Sequence, residues 1–279
     1  MKEIKSNIQI LATMTTINSV VLWNFISRGK TLHGIGYFVF FYISILTVHF
    51  LTKKIPPKNE IEVKEPKKEL SIAIIFAALG TVFLALNFML KSNLISDKIY
   101  TKIPIGFGSL LFGTPIGIFI YLLFQRYKPM RLGLTTQPIL SIIIGLIIWG
   151  LTGLFAYFFY PEGMRWSRAY QELGGIFGII LQGVIGAALF EEFSRFVIQS
   201  RFEKVFNTEG FSILFATAIW ALMHSPVQFS KGNDLSGTLV YCLQIIPLGF
   251  IWGYLTQRTK SIVPATFAHG LNLWGLQNG

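Results

Sequence analysis

Two adjacent glutamates followed by an arginine, Glu191-Glu192-Phe193-Ser194-Arg195, stand inside an apolar run from about Gly174 to Ile198 that holds no other charge. A charged side chain at the centre of a membrane helix costs on the order of 2.5–3.5 kcal/mol on insertion scales, and charges kept there line sites or pathways. The other eleven of the thirteen acidic residues read as lying in tails or loops. On a helix, Glu191 and Arg195 share a face while Glu192 points about 100° away. The guanidinium is therefore expected to hold the Glu191 carboxylate ionised and oriented. The plainer alternative is an ion cluster that only pins helices together.

Two further polar groups interrupt apolar segments downstream. His224 follows the run Trp220-Ala221-Leu222-Met223, and His269 is followed by Asn272 about one helical turn later. Lone histidines in apolar helices are commonly hydrogen-bonded core residues. Together with the glutamate pair, however, they make a set able to hydrolyse an amide. A carboxylate activates water as general base, and imidazoles and an amide stabilise an oxyanion or protonate the leaving group. Glu191, His224 and His269 would equally suit Zn²⁺ with a fourth position open to water. Spacing leaves both mechanisms open, and no metal is assigned. His33 and His49 receive no role, and Cys242 reads as a small buried hydrophobe.

These groups must be positioned by membrane helices. Of 279 residues, 52% are hydrophobic and 13% charged, against about 25% charged in soluble domains. Apolar runs long enough to cross a hydrocarbon core recur, at about 8–27, 34–52, 70–90, 104–124, 137–160, 174–198, 211–229, 237–256 and a short 262–277. The expected fold is an all-α polytopic membrane protein of eight to nine transmembrane helices, with a catalytic helix bundle in the C-terminal half. The net charge of +11 resides in short loops beside these spans, as topology signals do, so no nucleic-acid partner is expected.

The stretch 53–69 is rich in Lys, Glu and Pro and reads as a solvated linker. It separates an accessory helix pair, 1–52, from two additional helices within 70–136 and a functional core, 137–279. With every span crossing, fifteen Lys and Arg fall on the N-terminal side and eight on the other. That excess places the N-terminus in the cytoplasm, with the protein in the cell membrane.

The three motifs in this order resemble the CPBP family of intramembrane proteases, the CAAX prenyl endopeptidase and bacteriocin-processing group also called the Abi family. That family carries a paired glutamate followed by an arginine, an aromatic four residues before a histidine, and a second histidine followed by an asparagine. Here these are Glu191, Glu192 and Arg195; Trp220 and His224; and His269 with Asn272, with gaps of about 30 and 45 residues between motifs. The arginine and the asparagine each fall one position earlier than in the usual pattern, and Trp220 replaces the usual Phe. The resemblance covers roughly 137–279. It implies that Glu191 activates water with Glu192 assisting, and that His224 and His269 position water and stabilise the oxyanion.

The expected activity is thus a membrane-embedded endopeptidase acting on membrane-associated or prenylated-type peptides. Arg195 and Trp220 would orient the site, and the bilayer and the peptide substrate would be the partners. Two other classes remain compatible with the residues. One is a catalytically silent scaffold that binds membrane partners. The other is a proton-coupled transporter using Glu191 and the histidines as a relay, although no internal repeat supports it.

Overall fold

The structure, a computed structural model, describes residues 2–54, 61–91, 114–128, 131–135, 137–159 and 166–272. Among them every regular element is helical. We number the helices α1 Lys2–Ser27, α2 Thr31–Lys54, α3 Pro66–Lys91, α4 Thr114–Phe124, α5 Pro138–Phe159 and α6 Trp166–Glu172. There follow α7 Gly175–Phe206, α8 Glu209–Leu222, α9 Ser225–Ser230, α10 Leu235–Thr259 and α11 Val263–Gly270. Seven helical stretches are long and apolar enough to cross a membrane, α8 and α9 together counting as one. The shorter α4 is apolar as well. The chain is an all-α polytopic membrane protein.

The expected spans map onto these helices with physical differences. The fourth, 104–124, is described only from Thr114, and residues 273–277 of the last also lie outside the described residues. The described part of that last span is an eight-residue helix, α11. The sixth span runs on to Phe206, so Arg201, counted with the loops, lies inside a helix and is fully buried. Removing it leaves fourteen basic residues against eight, and the sign of the bias persists. Helix α3 begins at Pro66, four residues inside the stretch read as linker. A proline suits a first helical turn because its missing N–H has no partner there anyway.

Among the described residues the helices form two large cores and a small third one of Ile179, Val184 and Leu271. One joins α1 and α2 to α5, α8, α10 and α11, with Phe25, Phe40, Phe41, Ile148, Phe250 and Ile251 at its centre. Helices α1 and α2 therefore pack on the C-terminal half directly. Polar bonds reinforce this, since Tyr37 donates to the Gln244 carbonyl at 2.8 Å and Arg258 Nε donates to Thr52 Oγ1 at 3.1 Å. The second core joins α3 and α4 to α7 and α8 through Ala73, Ile118, Leu122, Phe196 and Val197.

Two local departures from α-helix shape the C-terminal half. Residues Ile180–Ala188 of α7 are π-helical, a wider coil that recurs at functional sites. This segment meets α11 backbone to backbone. A Cβ on Gly270 would stand 2.5 Å from the Val184 Cα, and one on Gly183 would stand 2.5 Å from the Gly270 carbonyl oxygen. Only glycine at both positions allows that approach. The second departure is the break between α8 and α9 at Met223–His224, two residues ahead of Pro226. Pro226 cannot donate to the Leu222 carbonyl, so the helix cannot continue unchanged.

Candidate active site

Glu191 and Glu192 lie in the first turn of the α-helical part of α7, immediately after the π-helical segment. Being adjacent on a helix, they face different neighbours and different environments. The Glu192 side chain is 1% exposed, whereas that of Glu191 is 33% exposed. Glu191 alone is open to an incoming molecule.

Glu192 holds two partners. Its Oε2 pairs with Arg195 Nη2, and its Oε1 lies 2.8 Å from His269 Nδ1. The expected pairing of Arg195 with Glu191 is therefore corrected to Glu192, three residues before it on the helix. Arg195 is itself 2% exposed, and a buried cation is retained only beside a fully desolvated anion. Its guanidinium also lies 5.8 Å from the ring centroids of both Trp220 and Trp252, within cation–π range.

Helix breaking places His224. Its backbone N–H donates to Ala221 O at 3.1 Å, one residue short of the α-helical partner. The Trp220 carbonyl is thereby left for the His224 imidazole, whose Nδ1 donates to it at 2.9 Å. A carbonyl only accepts, so Nδ1 carries the proton and Nε2 faces outward. The carboxylate of Glu192 imposes the same tautomer on His269. That ring is stacked on Trp252, 3.9 Å between centroids and 13° between planes.

Both outward nitrogens converge on one atom. His269 Nε2 lies 3.6 Å and His224 Nε2 lies 3.8 Å from Glu191 Oε2, which also accepts a hydrogen bond from Trp220 Nε1 at 2.6 Å. Separations of this size exceed a direct hydrogen bond and suit a bridging water or substrate oxygen.

Six of the seven residues singled out from sequence thus meet in one cluster: Glu191, Glu192, Arg195, Trp220, His224 and His269. Asn272 is different. Its backbone N–H closes the last turn on His269 O at 2.9 Å, and its side-chain Oδ1 is buried without a hydrogen-bond partner. Trp252 is the neighbour that sequence reading passed over. Its only local signal is a tryptophan beside Gly253 in an otherwise apolar span.

The Zn²⁺ alternative can be tested on the donor set. Among the described residues no group of three His, Cys, Asp or Glu side chains comes together as a metal-binding cluster. Glu191 Oε2 accepts from the indole N–H, while each imidazole keeps its outward Nε2 open, that of His269 because Glu192 engages its Nδ1. No step below is routed through a metal ion.

Residues 173–274 match the family model described as "Type II CAAX prenyl endopeptidase Rce1-like". No curated protein and no solved structure matches the chain. The matched segment spans α7 to α11, the helices that carry all of the clustered side chains. Residues 173–274 are thus similar to an Rce1-like CAAX prenyl endopeptidase domain, in line with the resemblance carried by the three motifs.

Proposed function

We propose that this protein is an intramembrane endopeptidase in which Glu191 is the general base for an attacking water. The observation that carries the reading is the convergence of His269 Nε2 and His224 Nε2 on Glu191 Oε2 at 3.6 and 3.8 Å. One oxygen placed among these three atoms is within hydrogen-bond reach of a base and of two imidazoles.

In the proposed reaction Glu191 takes a proton from water, and the hydroxide adds to the peptide carbonyl carbon. Negative charge grows on the carbonyl oxygen and is stabilised by His224 or His269, whose outward Nε2 donates to it once that ring has taken a second proton from solvent, a proton it keeps through the turnover. Collapse expels the amine, which leaves with the proton that Glu191 collected. Glu192 assists by holding His269 in its tautomer and balancing Arg195. Trp220 fixes the Glu191 carboxylate, and Asn272 supplies a further amide beside His269. Oriented donors acting in a water-poor site are worth several kcal/mol of barrier.

The substrates are membrane-associated or prenylated-type peptides, by the family's description and by the location of the site in apolar helices. Residues 137–279 form the protease core, in a cell membrane with the N-terminus in the cytoplasm. The test compares membranes from cells expressing wild type and Glu191→Gln, reading peptide termini by mass spectrometry. Termini dependent on Glu191 are expected. Identical termini from equally abundant, folded proteins would remove the reading.

A further inference from the structure

A cavity of about 150 Å³ opens directly beside Glu191 and His224. Its remaining wall is largely apolar, formed by Ala216, Ile219 and Met223 from the α8 side and by Leu84 from α3. An apolar cavity of about this volume accommodates a single benzene-sized group. Arg195 also reaches the wall, with its charge matched by Glu192.

Leu84 stands apart from the other wall residues. It lies outside the matched segment 173–274, on a helix for which the motifs imply no part in the site. Helix α3 is held against α7 and α9, and the half-buried Leu84 side chain lines the cavity together with Ala216, which is fully buried. The catalytic segment alone would leave this side open.

We propose that the cavity receives one apolar side chain of the substrate, from a residue flanking the scissile bond, and that Leu84 sets the size it accepts. The proposal rests on the endopeptidase reading above. A carbonyl placed against Glu191 and His224 brings the neighbouring side chain to the cavity mouth, because both residues line it. Once inside, that side chain exchanges water for Leu84, Ile219 and Met223 and gains roughly 25 cal/mol per Å² buried. Valine, leucine, isoleucine, methionine and phenylalanine fit this space. Glycine leaves it unfilled, and tryptophan overfills it.

The test uses the full chain in lipid nanodiscs, incubated with a proteome-derived library of blocked peptides, with cleavage sites read by mass spectrometry. The proteins compared are wild type, Glu191→Gln, Leu84→Ala, Leu84→Phe and Ala216→Val. Wild type should favour medium apolar residues at one position flanking the cut. Leu84→Ala should shift that preference toward phenylalanine and tryptophan. Leu84→Phe and Ala216→Val should shift it toward alanine and valine. Each shift should be about tenfold or more, since one methylene in an apolar pocket changes specificity by roughly 10- to 200-fold.

The outcomes separate the two claims. Cleavage that survives Glu191→Gln, or a wild type that cleaves nothing, overturns the endopeptidase reading and this proposal with it. Glu191-dependent cleavage with the same residue profile in all variants overturns the proposal alone. A wild-type preference for acidic residues at that position, drawn to Arg195, overturns it too. Two opposite substitutions at the half-buried Leu84 keep the result independent of any one variant failing to fold.

Discussion

Arg201, on the helix that bears Glu191, donates from Nε to Glu69 Oε2 of α3 at 2.9 Å, and both side chains are sealed from solvent. Glu69 also accepts from the Tyr127 hydroxyl at 2.6 Å and from the Glu65 backbone N–H at 3.0 Å. The second carboxylate–arginine pair on α7 therefore ties the catalytic helix to α3, away from the site. Removing one partner of such a pair strands a buried charge and costs roughly 3–5 kcal/mol, whereas replacing both with apolar groups is often neutral. Glu69→Met and Arg201→Met should each lower unfolding stability in detergent by about that amount. The double variant Glu69→Met/Arg201→Met should regain most of the loss in a double-mutant cycle.

The Tyr127 hydroxyl has its pKa pushed up to about 12, first by burial and then by its hydrogen bond to Glu69. A raised native pKa means that the folded state keeps a proton which the unfolded chain releases near its ordinary value of about 10. The stability tied to this proton is complete below pH about 10 and is lost as pH climbs toward about 12. Thermal unfolding followed across that alkaline window should show the wild type losing stability more steeply than Tyr127→Phe. Parallel curves for the two proteins would contradict it.

Glu192→Gln removes the charge that balances Arg195 and the acceptor that fixes His269. The glutamine can still accept one hydrogen bond but cannot neutralise a buried guanidinium. Activity against a Glu191-dependent peptide should fall by about 10²- to 10⁴-fold, the range for losing an oriented acid–base group. Stability should fall in the same variant. A fully active Glu192→Gln enzyme would show that His269 is oriented by something else.

Trp220→Phe deletes the indole N–H that reaches Glu191 Oε2 and part of a buried ring, but keeps the backbone carbonyl that holds His224. With that donor gone, kcat should drop by about 10- to 10³-fold, more than KM changes, and the smaller ring should lower the unfolding midpoint modestly. A change confined to KM would reassign Trp220 to substrate binding.

With Glu191 acting as a base on free water, dialysis against a strong chelator should leave Glu191-dependent cleavage unchanged. Loss of activity restored by added Zn²⁺ would reverse the assignment of Glu191 as a base acting on free water.

The class of fold and most of the site are properties of the sequence itself. Uninterrupted apolar runs leave a chain no choice but helices, because backbone groups in hydrocarbon must be satisfied within the segment. Charges and histidines inside such runs carry a cost that marks them without any structure. That reasoning found Glu191, Glu192, Arg195, His224 and His269, to which the family resemblance added Trp220, and all six meet. It had no means to choose between the two glutamates as partner of Arg195, since spacings of three and four residues both bring side chains together on a helix. Packing decided, by burying Glu192 and leaving Glu191 partly open. Glu69 and Arg201 were misread because both stand near the ends of apolar runs, where charges ordinarily meet water. Their pairing joins residues 132 positions apart. Likewise, Trp252 beneath His269 and Leu84 in the cavity wall come from helices whose local sequence is merely apolar. Local spacing reports what one helix presents, and only the packing of several helices determines which of those groups face each other.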